Sequence, residues 1–268
     1  MNDSMFHRRP SLVRRALRSG YRRAEKAFCA STLGTMLGRR ESFGTITSVA
    51  TSEPIAAITF DGGPDERWTP QVLDLLDAHD AKATFFVVGK YVELHPDIMQ
   101  RGHAAGHAFG NHTFLHPPFP LVSRGERRRE LRDCATALAP YPQKRALFRP
   151  PYLVQDLASR YDSWRLGYDV IACSLHADDW EDRTSDEMQQ PRIEGAKPGD
   201  IIMLHDAVCD QRYRSRTAMI EALESFLRRR SDLRYVTVPE LLRSGEPVRE
   251  MWHRVPNPAS FTTYERVI

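Results

Sequence analysis

His112 and His116 are separated by three residues, and two imidazoles at that spacing can meet one divalent ion on a helical turn or a tight loop. Asp61, earlier in the chain, is a carboxylate suited either to a metal or to proton abstraction. Three more groups of chemically capable residues follow: Arg149, then His176 with Asp178 and Asp179, then His205 with Asp206. Such a set supplies a metal-capable pair, a candidate base and a candidate acid.

What unites these residues is their position. Each follows directly on a short apolar run. Asp61 follows 55–60, Asn111, His112 and His116 follow 107–109, and Arg149 follows 146–148. The His176 group follows 168–174, and His205 with Asp206 follows 200–204. Apolar runs of that length, bounded by turn residues, read as buried strands. Between them lie helical patterns: from about 69, over 92–101 with an interruption at Pro96, over 124–138, over 156–166 and over 217–230. A last strand is expected at 234–238. Strands alternating with helices call for a parallel sheet, and about seven such units suit a distorted (β/α) barrel of the α/β class. In a parallel barrel the strand C-terminal ends share one face, which is where such enzymes keep their active sites. His79, His95, His103 and His107 are expected at the surface or at helix ends.

The 268 residues fit one large domain with short extensions, with 41% hydrophobic and 27% charged residues. A net charge of +3 is too mild to argue for nucleic acid. The positive charge gathers in residues 1–50, expected to be a basic and solvated N-terminal extension. The catalytic barrel is expected over 51–245, with a tail over 246–268 that wraps the surface. Cys29, Cys134, Cys173 and Cys209 form no CxxC pair and read as reduced thiols. No stretch has the length of a membrane span, and 27–37 is too short and too polar for a secretory signal. A cytoplasmic location is the simplest expectation.

Five segments, in order, resemble the motifs of the polysaccharide deacetylase family (NodB-homology domain, carbohydrate esterase family 4). Thr59-Phe60-Asp61-Gly62-Gly63-Pro64 resembles T-F-D-D-G-P, and Asn111-His112-Thr113-Phe114-Leu115-His116 resembles N-H-[ST]-x-x-H. Arg149-Pro150-Pro151-Tyr152 is similar to R-x-P-[FY], Asp178-Asp179-Trp180 to the end of D-x-x-D-W, and Leu204-His205-Asp206 to L-H-D. The resemblance implies removal of N-acetyl groups from an N-acetylhexosamine in a carbohydrate or glycoconjugate. It makes Asp61 the general base and His112 and His116 the ligands of a divalent metal, zinc foremost, with cobalt or nickel as alternatives. Arg149 would pair with Asp61, Asp179 would hold His205 protonated, and His205 would be the general acid. Tyr152 would contribute its backbone N–H to the oxyanion site, while Trp180 and Leu204 would wall the acetyl pocket. The implied chemistry is coherent: an amide is a poor electrophile with a poor leaving group, so it needs an activated water, a stabilised oxyanion and a protonated amine.

Two positions depart from the pattern. Gly62 stands where the family carries its metal-binding aspartate, which leaves two histidines and implies weakened or absent metal binding. Restoring the carboxylate, Gly62→Asp, is the direct probe of that position. His176 stands at the first aspartate of the fourth motif, so His176 or Asp178 is a candidate substitute ligand. Two other functions fit the same residues: an O-acetyl esterase, and a non-catalytic sugar-binding pseudoenzyme.

Overall fold

The computed structural model describes residues 12–39, 43–181, 183–188, 192–208 and 215–255. Helices α1 (Leu12–Ala30) and α2 (Thr32–Arg39) come first, then β1 (Thr45–Ala50) and β2 (Ile55–Asp61). They are followed by α3 (Trp68–Ala78), β3 (Ala83–Val87), α4 (Gly89–Leu94), α5 (Pro96–Ala104) and β4 (Ala108–Asn111). Next are α6 (Arg124–Leu138), β5 (Leu147–Phe148), α7 (Leu157–Arg165), β6 (Asp169–Val170) and β7 (Leu175–His176). The series ends with α8 (Ser185–Met188), β8 (Ile201–His205), α9 (Thr217–Arg229), β9 (Arg234–Tyr235), α10 (Val238–Leu241) and β10 (Glu246–Glu250).

Seven strands pair in parallel in the order β6-β5-β4-β3-β2-β8-β7, and the short β9 pairs with the start of β2. Of the expected strand at 168–174 only β6 forms, at one edge of the sheet, and β7, just beyond that range, lies at the other edge. Only residues 171–174 link them, and a chain spans at most about 3.3–3.6 Å per residue. The sheet must therefore curl until its two edges nearly meet, which makes it a distorted barrel. The linking segment bonds to both sides as it crosses: Ile171 N–H to Phe148 O at 2.9 Å, and Ser174 N–H to Ile201 O at 2.9 Å.

Side-chain alternation divides the core into two layers. Ile58, Phe60, Phe85, Ile202 and Leu204 face the helices, packing with Val72, Leu76, Leu223 and Phe226. Ala57, Phe86, Ile201 and Met203 face the barrel interior. Helix α6 spans the expected 124–138, and Ser123 and Glu126 form a reciprocal capping box at its start. His107 is a correction: it is 5% exposed, its Nδ1 accepts the Ala83 N–H at 3.1 Å, and burial lowers its pKa to about 4.

The two ends of the described chain are also a correction. Residues assigned from sequence to the extension and to the tail pair with each other, β1 against β10 in antiparallel register from Thr45↔Glu250 to Ala50↔Glu246. Ile46, 0% exposed, bridges to Ile171, so this ribbon covers the gap between the sheet edges. Further back, Glu25 is buried and accepts the Leu157 N–H at 2.6 Å, which fastens α1 to the start of α7. Boundaries at 50 and 245 therefore cut through packed structure. Cys29, Cys134 and Cys173 are free and buried, while Cys209 lies outside the described residues. No helix among the described residues is long and apolar enough to cross a membrane.

Candidate active site

Asp61 ends β2 and His205 ends β8, and the two are register partners on adjacent strands. Strand pairing alone thus fixes the candidate base beside the candidate acid. Each is held by a buried partner.

Behind Asp61 lies Arg149, which is 0% exposed. Its Nη1 donates to Asp61 Oδ1 at 2.6 Å and to Thr59 Oγ1 at 2.7 Å, and its Nη2 donates to Ala172 O at 2.8 Å. The guanidinium also lies 4.1 Å from the Phe86 ring centroid. A buried charge persists only when paired and hydrogen-bonded, and Arg149 satisfies both conditions. Asp61 Oδ1 is committed to that pair, leaving Oδ2 to face His112 Nε2 at 3.9 Å.

His112 leaves the end of β4 with its Nδ1 2.7 Å from Arg149 O. A carbonyl can only accept, so Nδ1 carries the proton and Nε2 presents a lone pair. His116 Nε2 lies 3.2 Å from His112 Nε2. The intervening loop is tightly specified: Thr113 and His116 have positive φ, and Glu130 of α6 accepts the Phe114 and Leu115 N–H groups at 2.9 and 2.7 Å. Burial pushes the His112 pKa down to about 3 and holds that of His116 well below the usual imidazole range. Both rings are therefore neutral, as metal ligands must be. Two nitrogens about 2.0–2.1 Å from one tetrahedral ion are about 3.3 Å apart, so the pair fits a shared metal. His116 Nδ1 is buried without a hydrogen-bond partner among the described residues.

No third ligand completes the set: among the described residues, no group of three or more His, Cys, Asp or Glu could hold an ion. The expected substitutes are occupied elsewhere. Asp178 Oδ1 pairs with His176 Nδ1 at 2.7 Å, and its Oδ2 pairs with Arg192 and, at 3.5 Å, with Arg183. The His176 ring lies 5.3 Å from that of Trp180, tilted by 42°. Neither joins His112 and His116.

Gly62 itself has φ +94°, and a Cβ there would lie inside 3.0 Å of the Ala207 carbonyl oxygen. Its loop is tethered by Asp206, which accepts the Gly63 N–H at 3.2 Å and the Thr69 hydroxyl at 2.6 Å. Burial pushes the Asp206 pKa up to about 7, and its contacts with Gly63 and Thr69 give it a structural role in this loop. Gly62→Asp is accordingly expected to lower stability by about 2–5 kcal/mol, from left-handed strain and a forced backbone shift. Thermal melting with a parallel zinc titration checks this; tighter zinc binding at an unchanged melting temperature would refute it.

His205 is held by Asp179, which is 0% exposed. Asp179 Oδ2 accepts the His205 backbone N–H at 2.7 Å, and Oδ1 accepts from Nδ1 at 2.9 Å. Burial opposes the imidazolium, but the Asp179 charge and hydrogen bond outweigh it, so the His205 pKa is raised. Trp180 stands edge-on to His205 at 5.5 Å and forms a wall of the site. Leu204 does not. Alternation turns it to the helix-facing layer, while Met203, two residues before His205, shares the interior cluster on which Trp180 packs. The apolar wall is therefore Trp180 with Met203. Tyr152, at φ +57°, is 44% exposed and packs its ring 4.6 Å from that of His116.

Sequence reasoning missed two polar residues. Glu130 shapes the histidine loop from a helix, and Arg216, 3% exposed at the start of α9, donates to the Asp179 carbonyl at 2.6 Å. Neither follows a strand or lies in a motif.

Comparison with known proteins places this arrangement in context. Residues 48–171 match the polysaccharide deacetylase family. A peptidoglycan-N-acetylglucosamine deacetylase of Bacillus cereus is 36% identical over 208 residues, covering 76% of this chain and 95% of that protein. A chitooligosaccharide deacetylase of Sinorhizobium fredii is 32% identical over 165 residues, covering 60% of this chain and 76% of that protein. A crystal structure of a peptidoglycan N-acetylglucosamine deacetylase superposes with TM-score 0.68 at 26% identity, covering 75% of this chain and 94% of that one.

Proposed function

The chain belongs to the polysaccharide deacetylase family of amidohydrolases, and we propose that it removes the N-acetyl group from N-acetylglucosamine units of a carbohydrate or glycoconjugate. The observation that carries this reading is the register pairing of Asp61 with His205, each backed by its own charged partner. A site that only held sugar would need neither an oriented base nor a proton-charged acid.

The chain's own residues account for the proton movements. The acetamide carbon is attacked by water, whose proton passes to Asp61 Oδ2, the oxygen not bound by Arg149. Arg149 keeps that carboxylate fixed in direction and supplies its counter-charge. As the tetrahedral adduct collapses, His205 donates its Nε2 proton to the departing amine, because Nδ1 is committed to Asp179. Acetate and a free amino sugar leave. Trp180 and Met203 offer apolar surface to the acetyl methyl group. Polysaccharide deacetylases generally use a divalent metal, and His112 and His116 are the residues that would hold it. Once bound, such an ion lowers the pKa of water and polarises the carbonyl. Imidazole ligands suit zinc, and with two protein ligands only, affinity should be weak.

The test is acetate release from N-acetylglucosamine oligomers by purified protein, with metal content measured and zinc or cobalt titrated in. Turnover that rises with added metal and saturates at high concentration is expected. No acetate at any metal level would overturn the proposal.

A further inference from the structure

We propose that Arg216 is a further positioning residue of this site, clamping Asp179 from behind and so fixing the direction and charge balance of the His205 imidazole. Its Nη1 reaches Asp179 twice, the carbonyl at 2.6 Å and Oδ2 at 3.4 Å, while Nε is anchored on Ser215 O at 2.9 Å. Arg216 is 3% exposed and Asp179 0% exposed, so neither charge is screened by water. Asp179 Oδ2 is shared between Arg216 and the His205 backbone N–H, while Oδ1 takes the imidazole. A buried carboxylate with a single cationic partner would hold that partner's proton too firmly for a donor that must give it up in each turnover. A second cation behind the carboxylate moderates that grip.

The acid half of the site then repeats the plan of the base half. Arg149 stands behind Asp61, and Arg216 stands behind Asp179. Other charged and titratable groups facing His205 are Asp61 on β2 and the neutral His112 and His116 beyond β4. Its chain neighbour Asp206 turns to Gly63 and Thr69 instead. Of these, the Asp61 charge raises the His205 pKa and the Arg216 charge lowers it.

The proposal rests on His205 as the acid, and its test does not depend on turnover. Histidine imidazole signals of the metal-free, full-length protein are followed by NMR across pH, with His205 assigned from the spectrum of His205→Gln. Arg216→Met should move the His205 midpoint up by about one pH unit. Arg216→Lys, which keeps the charge, should return it at least halfway. In an Asp179→Asn background the same Arg216→Met change should move the midpoint by less than half as much. Arg216→Gln keeps hydrogen-bond donors without charge and reads the same upward shift should Arg216→Met not fold. An unmoved midpoint in a folded neutral variant, or an equal shift with and without Asp179, would overturn the assignment. Failure of the wild type to release acetate would count against the proposed function and leave this reading of Arg216 to stand or fall on the titration.

Discussion

Asp61→Asn is expected to slow deacetylation about 10²–10⁴-fold and to destabilise the protein by about 3–5 kcal/mol at once. The kinetic loss follows from the missing base, since a carboxamide cannot take a proton from water. The stability loss follows from Arg149, which is 0% exposed and keeps its guanidinium in place whatever faces it. The carboxamide oxygen could still accept from Nη1, but the charge would be left without its counter-charge inside the barrel. The two effects can be separated. In Asp61→Asn/Arg149→Met the buried charge is gone, and hydrophobic replacement of a buried pair is often close to neutral. Urea unfolding should therefore show the double variant recovering stability, while acetate release stays at the level of the single variant. A single variant retaining more than a tenth of wild-type kcat/KM would remove Asp61 from the role of base.

His205→Ala should separate amide from ester. An acetamide leaves as an amine that must be protonated, whereas the phenolate of 4-nitrophenyl acetate departs without help. Loss of the acid is expected to cost about 10²–10⁴ in kcat/KM on N-acetylglucosamine oligomers and less than about tenfold on the aryl ester. The pH profile provides a second reading. The folded protein raises the His205 pKa, so the wild-type amide rate should hold through the ordinary imidazole range and fall as pH climbs through the raised value. The variant should lack that alkaline limb. Equal losses on both substrates would remove His205 from proton donation.

Much of this site was legible because its residues obey one rule of parallel sheets. Asp61, His112, Arg149, Asp179 and His205 all follow strands, and strand ends converge whatever the details of packing. The α6 boundaries were equally legible from the helical pattern over 124–138, and the structure adds a local capping box of Ser123 and Glu126 at its start. What escaped depended on distant partners or on parity. Leu204 and Met203 are adjacent in sequence but face opposite layers, and reading a wall residue from a motif ignored that alternation. Arg216 and Glu130 act from helices, where nothing in their surroundings distinguishes them from solvated charges. The shortening of the expected strand at 168–174 to β6, the placement of β7 at the opposite edge, and the union of β1 with β10 are set by contacts between remote parts of the chain. At Gly62 the sequence showed which side chain was absent, and only the backbone showed why a carboxylate does not simply fit there.

The β1–β10 ribbon also sets a timetable for biosynthesis. A ribosome delivers Thr45–Ala50 well before its partner Glu246–Glu250, so β1 must wait for that partner through the synthesis of the whole barrel. Strand β2 waits almost as long for β8. Pairings so far apart in sequence are slow to form and leave strand edges exposed meanwhile. The base half, Asp61 with Arg149, can assemble on the nascent chain once Arg149 has emerged. The acid half cannot, because Asp179 gains His205 and Arg216 only after β8 and the start of α9 appear. Catalytic competence thus arrives well after the base half is in place, and the clasp that seals the barrel arrives later still.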